Sequence, residues 1–352
     1  MGLEIRKRVC SPTEREHRKG KGRMDMQMNR RAFMMGVAAA GAVTGMPRFG
    51  VAQEGGGACA FRTTLYKALI AGVADDKTCE RIAKAGFPGV ELSNKNVTEE
   101  QAIQGRLTAA KHGLAIHSFM GGWTNFNSSD EAQRRKSIED VKRMIRLTAT
   151  YGSSVILLVP CRVGGTMPKP SQFRIAFDPR TLRVTSVVEG DNAPFAEYIA
   201  AQNQATEMSR RAIEELIPVA AREGVIIALE NVWNNLWVLP DFAAAFVRSF
   251  DNPWVKAYFD LGNNVRYAPT EEWLRALGSQ IVKLHIKDFK IDREKKNEGD
   301  FVPIGKGSVD WRSVRKVIDE IGYNGWVTIE SRGFTDAEHS ALMDRFFAGQ
   351  GA

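Results

Sequence analysis

Cysteine is scarce in this chain of 352 residues: there are four, and no CxxC pair. A zinc ribbon or a dithiol redox motif is therefore not expected. Cys59, Cys79 and Cys161 follow the N-terminal leader described below, and an odd number leaves at least one thiol unpaired. All three read as structural or incidental. Cys59 lacks the preceding Leu of a lipid-attachment signal and lies well past the apolar stretch of the leader, so lipidation is not expected. Histidine is also sparse, at five residues. The hydrophobic content of 43% suits one large α/β domain or two smaller ones. A core of that size folds without disulfides or a structural metal.

A basic surface is missing as well, once position is considered. The formal charge is +8, but residues 1–52 hold 11 of the 49 Lys and Arg against 4 of the 41 Asp and Glu. The body that remains has 38 basic and 37 acidic residues and offers no phosphate-binding field, so nucleic acid is not an expected partner.

The basic leader has the form of an export signal. Asn29-Arg30-Arg31-Ala32-Phe33 resembles the twin-arginine motif, and Met34 to Gly45 is a short stretch rich in Ala and Gly. Gly50-Val51-Ala52 places small residues where a signal peptidase reads. The stretch is too short for a permanent membrane anchor. The expected partner is the twin-arginine export machinery, which carries folded proteins, and the expected location is periplasmic or otherwise extracytoplasmic. The 23 residues before Met24 are long and basic for such a leader, so translation is expected to begin at Met24, Met26 or Met28. N-terminal sequencing of an unprocessed precursor that begins at Met1 would refute that start.

Residues 53–62 form a Gly-rich linker, and residues 63–352 alternate short apolar runs with longer amphipathic segments, the mark of βα repeats. Strands are expected at 66–71, 88–92, 114–119, 153–159, 225–230, 254–260, 281–287 and 325–330. Helices are expected at 76–85, 98–112, 130–151, 197–223, 240–249, 270–278, 310–321 and 335–348. Thr98 and Thr270 suit helix starts. Gly86, Gly113, Gly152, Gly224 and Gly322 suit helix ends. Eight such units imply a single-domain (β/α)8 barrel, for which ~250 residues is usual. An open doubly wound sheet would want a Gly-rich phosphate loop after the first strand, and Ala71-Gly72-Val73-Ala74-Asp75 does not supply one. Residues 160–196 form an insertion with a β-hairpin around Asp178-Pro179-Arg180-Thr181, placed to act as a lid or specificity loop or else as an oligomer contact.

Four successive apolar runs close on a polar residue. They are Val225 to Glu230, Val255 to Asp260, Ile281 to His285 and Trp326 to Glu330. In a parallel barrel such ends meet on one face, where barrel enzymes place their chemistry. Glu230, Asp260, His285 and Glu330 therefore read as one metal site. Three carboxylates and an imidazole suit Mn²⁺, Mg²⁺ or Co²⁺, with Zn²⁺ possible. Their combined charge leaves about one negative charge beyond a dication, so one carboxylate can carry a proton.

The segments around these ends, Ala228-Leu229-Glu230-Asn231, Phe259-Asp260-Leu261-Gly262-Asn263, Lys283-Leu284-His285-Ile286-Lys287-Asp288 and Thr328-Ile329-Glu330-Ser331, resemble the xylose-isomerase-like barrel superfamily of sugar isomerases and epimerases. Gly86-Phe87-Pro88-Gly89-Val90-Glu91-Leu92 and Gly305-Lys306-Gly307-Ser308-Val309-Asp310-Trp311 add to the likeness, which runs from about Tyr66 to Glu330. The resemblance implies one divalent metal on Glu230, Asp260, His285 and Glu330, and a sugar or keto-sugar substrate. It implies proton abstraction beside a carbonyl through an enediolate, with Glu230 and Glu330 as base and acid. A homodimer is common among such proteins.

Candidate substrate contacts are Glu91, His117, Trp123, Trp233, Asn263, Lys287 and Asp288. His117 has a structural alternative, Trp123 and Trp233 can be packing residues, and Lys287 can simply pair with Asp288. Ketose epimerases of the superfamily carry Glu, His and Arg where this chain has Leu236, Asn263 and Ile291, so their particular activity is not carried over. His285-Ile286-Lys287-Asp288 is more similar to the inosose-dehydratase branch, which makes a metal-dependent dehydratase or lyase the alternative. Related DNA-repair endonucleases use a histidine-rich trinuclear zinc site that five histidines do not support. A non-catalytic sugar-binding barrel is the reading from another class.

Overall fold

The structure is a computed structural model that describes residues 61–352. The twin-arginine stretch, the cleavage site and linker residues 53–60 lie outside the described residues. Eight parallel strands close a barrel: β1 (Leu65–Ala71), β2 (Gly89–Leu92), β3 (Ala115–Trp123), β4 (Val155–Val159), β7 (Ile226–Glu230), β8 (Val255–Asp260), β9 (Ile281–Ile286) and β12 (Gly325–Ile329), which pairs back onto β1. A helix follows each barrel strand before the next begins, and Asp336–Phe347 follows the last. The chain is a single-domain (β/α)8 barrel.

Most boundaries fall within a residue or two of those expected. Thr98 caps its helix in a reciprocal box with Gln101, and the five helix-ending glycines all have φ between 68° and 84°. Thr270 behaves differently. It is the first helical residue and donates its hydroxyl to the Leu261 carbonyl at 2.8 Å, while Pro269 occupies the cap position.

Two extra hairpins stand beside the barrel. In the insertion after β4, the strands β5 (Ala176–Phe177) and β6 (Val184–Ser186) pair antiparallel, as the turn residues predict. The second, β10 (Asp288–Ile291) with β11 (Gly299–Val302), follows β9 directly and was not expected. Strand β3 also runs on to Trp123, past a register shift between Met120 and Gly122.

The barrel interior is split by polarity. Val155, Leu157, Val159 and Ala228 pack with the Tyr258 ring on the β4, β7 and β8 side. Glu91, His117, Lys283, His285 and Thr328 are buried across from them, where a barrel of this kind more often carries branched apolar residues. At the N-terminal end Trp326 forms a floor. Its ring stacks on His117 with centroids 4.9 Å apart, and a Cβ on Gly89 would lie 2.1 Å from it. Glycine is therefore required at the start of β2.

Candidate metal centre

Register brings the polar strand ends together. Asp260 stands level with His285 across the β8–β9 ladder, Thr328 of β12 stands level with His285 on its other side, and Glu330 follows two residues later. Glu230, Asp260, His285 and Glu330 each present a ligand-type atom within 4.8 Å of the others. Asp260 and His285 are wholly buried, and the Glu230 side chain is nearly so. The Glu330 side chain, 35% exposed, is the one most open to the barrel mouth.

Local hydrogen bonds aim these groups. Asp260 Oδ1 accepts from the backbone N–H groups of Gly262 at 2.9 Å and Asn263 at 2.6 Å. Oδ2 is left buried without a hydrogen-bond partner, 3.6 Å from Lys287 Nζ. Asn231 clamps the same residue, since its Oδ1 accepts from Asp260 N at 2.6 Å and its Nδ2 donates to Asp260 O at 2.9 Å. His285 Nδ1 lies 3.3 Å from Glu230 Oε1 and 3.0 Å from Glu330 Oε2. Lys287 Nζ pairs with Glu330 Oε2 at 2.8 Å.

Charge at this spot is strongly perturbed. Burial lifts the Glu230 carboxyl to about 7, against the pull of His285. Burial also raises Asp260, with Lys287 opposing. Glu330 feels the same burial, but His285 and Lys287 outweigh it and bring its carboxyl down to about 2. Burial works against the charged forms of His285 and Lys287 too. Tyr258, Glu91 and the hydrogen bonds from Glu230 and Glu330 nevertheless hold the imidazole well above its usual range. Asp260, Glu330 and Glu230 likewise raise Lys287. An oxygen-rich nest with an unpartnered buried carboxylate oxygen and one imidazole fits a hard divalent cation.

The remaining candidates separate. Lys287 faces the centre, with Nζ 5.4 Å from the Phe301 ring centroid, and pairs with Asp260 and Glu330 instead of Asp288. Asp288 turns away. Its carboxylate accepts from the backbone N–H of Gly305 and Gly307, each at 2.9 Å, and from Trp311 Nε1 at 3.2 Å. A Cβ on Gly307 would meet Asp288 Oδ1 at 2.0 Å. The Gly305–Trp311 segment is thus built around a buried carboxylate.

Glu91 is wholly buried, with Oε2 2.6 Å from His285 Nε2. His117 lies near the start of β3, because that strand continues six residues beyond it. Its ring nitrogens lie 3.1 Å from Ser118 Oγ and 3.0 Å from Thr328 Oγ1, so it is fully engaged inside the barrel. Trp123 ends β3, is 45% exposed and carries the Arg162 guanidinium 4.7 Å over its ring. Trp233 donates Nε1 to the Asn263 carbonyl at 2.6 Å and is covered by Arg266 at 3.6 Å. Asn263 itself is buried and donates Nδ2 to Asn231 O at 2.9 Å. Phe301, on the unexpected hairpin, packs 4.9 Å from the Trp233 ring and is 45% exposed. Sequence patterning had no means of singling it out, since its partner Trp233 is 68 positions away. Arg266 and Tyr258 were missed for the same reason.

Residues 79–345 match the xylose isomerase-like TIM barrel family, and the chain belongs to it. Among curated proteins, an L-ribulose-5-phosphate 3-epimerase of Escherichia coli is 30% identical over 134 residues, which is 38% of this chain and 45% of that protein. The match therefore spans less than half the length of that relative. Of solved structures, a D-psicose 3-epimerase determined in the presence of D-fructose superposes with a TM-score of 0.57 at 15% identity, covering 81% of this chain and 99% of the other. A probable 3-DHS dehydratase from Bacillus anthracis does so with a TM-score of 0.56 at 13% identity, covering 79% and 98%. At these identities both likenesses speak for the fold alone.

Proposed function

We propose that this protein is a divalent-metal-dependent isomerase or epimerase of an unphosphorylated or oxidised sugar. The observation that carries the reading is the convergence of Glu230, Asp260, His285 and Glu330 at the C-terminal mouth of the barrel. Those four would hold the metal, which would supply Lewis-acid polarisation of a carbonyl and its neighbouring hydroxyl.

The chain's own groups would handle the proton. Glu230 and Glu330 arrive from β7 and β12, which are not neighbours in the barrel, and so flank the space above Asp260 and His285. One takes the proton from carbon beside the carbonyl and the other returns it. Lys287 sits where its ammonium can meet negative charge on a substrate oxygen. Trp233 and Phe301 form an aromatic wall beside it that suits the apolar face of a sugar ring.

The place of Lys287 also favours a second reading, a dehydratase of keto-sugars or inosose-like substrates, in which the same ammonium would assist departure of a β-hydroxyl. Products separate the two: an isomer in one case, a dehydrated ketone in the other. Action outside the cytoplasm is part of the proposal, supported by Arg30-Arg31 and the stretch that follows. Lysine at both positions is expected to stop export of a folded reporter fused to the leader.

Metal content measured by mass spectrometry tests the core of the proposal. Wild type is expected to hold near one equivalent of divalent metal, and the double variant Glu230→Gln, His285→Ala to lose it. The loaded wild type should then exchange a carbon-bound proton of a keto-sugar with solvent. A wild type that stays metal-free after incubation with Mn²⁺, Co²⁺ or Zn²⁺ overturns the enzymatic reading and leaves a sugar-binding barrel.

A further inference from the structure

We infer that Glu91 is a positioning residue for His285, acting through the ring nitrogen that faces away from the metal centre. The inference rests on the metal-centre reading above. His285 Nε2 lies 2.6 Å from Glu91 Oε2, and both side chains are completely buried. The other ring nitrogen, Nδ1, points to Glu230 and Glu330. A carboxylate at Nε2 accepts that N–H, fixes the ring plane and leaves Nδ1 as the nitrogen offered to a cation.

Glu91 is itself held in place. The Tyr258 hydroxyl donates to the same Oε2 at 3.2 Å, and Tyr258 packs against the imidazole with ring centroids 4.4 Å apart. Tyr258 and Thr328 stand close enough for contact between their hydroxyl oxygens, at 3.5 Å. The strand ladders set this geometry, since Glu91 is the third residue of β2 and pairs level with Ile70 and Ser118. A buried carboxylate carries a large desolvation cost, and Oε1 has no hydrogen-bond partner. A residue serving only to fill the barrel would be better as an apolar one. The carboxylate makes sense as the outer partner of a ligating histidine.

The test is a Co²⁺ titration of the full-length protein, followed by its visible absorption bands. Glu91→Gln keeps the size and removes the charge; it is expected to weaken Co²⁺ binding 10–100-fold and to shift the bands. Glu91→Asp keeps the charge on a shorter stem and is expected to recover part of the loss. Simple packing predicts the reverse order, with Gln the better replacement. Equal affinity and an unchanged spectrum for Glu91→Gln overturn the inference, as does a failure of both variants to fold, which would make Glu91 a structural element. A wild type that takes up no Co²⁺ removes the metal centre itself. A wild type that binds while Glu91→Gln binds equally well removes only the role of Glu91.

Discussion

Glu298 accepts two hydrogen bonds from Ser171, one from the backbone N–H at 3.0 Å and one from the hydroxyl at 2.5 Å. It is buried, it also takes Arg293 at 2.5 Å, and it closes the turn between β10 and β11 with φ +55°. One carboxylate therefore joins the insertion after β4 to the hairpin that carries Phe301. Replacing Glu298 with Ala should loosen both segments together. A loss of about 2 kcal/mol in local stability corresponds to roughly 30-fold faster amide exchange. Hydrogen exchange read by mass spectrometry should show this rise in 160–196 and 288–302 jointly. A rise in only one of them would show that the two move independently.

Asp260→Asn is expected to separate metal binding from folding. The buried Oδ2 lacks a hydrogen-bond partner, so removing its charge relieves desolvation while depriving a cation of a ligand. Kept with chelator, the variant should melt at or above the wild-type temperature. Its divalent affinity should fall by more than the roughly 10–100-fold that loss of an outer partner costs. A variant that melts lower yet binds metal normally would contradict both expectations.

Asp288→Ala should be costly for stability without touching the chemistry directly. It strands the N–H groups of Gly305 and Gly307 and the Trp311 indole, and such losses total about 3 kcal/mol or more. Urea unfolding is the check, and a change under 1 kcal/mol, about the net worth of one hydrogen bond, would remove the anchoring role.

His117 gives the fold an acid limit. Burial, then the nearby charges of Lys283 and His285, hold its folded pKa well below the ordinary 6.5. The unfolded chain therefore binds a proton below about pH 6.5 that the folded chain refuses. Stability due to this group is fully present above 6.5 and is lost as pH falls towards the folded value, by up to about 1.4 kcal/mol per pH unit. Urea titrations between pH 7.5 and 5 should show that slope, and His117→Gln should flatten it by the share of one proton. An unchanged slope in the variant would assign the acid sensitivity to other groups.

The barrel was legible because buried parallel strands read as short apolar runs and helix-ending glycines punctuate them. The four strand-end residues were legible for the same reason, each being the polar residue that closes a largely apolar run. What lay hidden depended on long-range packing. Gly121-Gly122 has the look of a turn, yet β3 passes through it with a register shift, so that His117 lies near the start of the strand and not at its end. Lys287 and Asp288 are neighbours in sequence but face opposite ways, Lys287 being the link between β9 and β10 and Asp288 the first residue of β10. Glu91 shows no outward sign of its depth, since an acidic residue in a four-residue strand is equally consistent with a surface contact.

The Trp326 floor has a consequence for traffic. With its ring over Gly89 and against His117, Trp326 covers the N-terminal end of the barrel, so a ligand of the proposed centre would have to come and go by the opposite end. Arrival and departure would then share that one end.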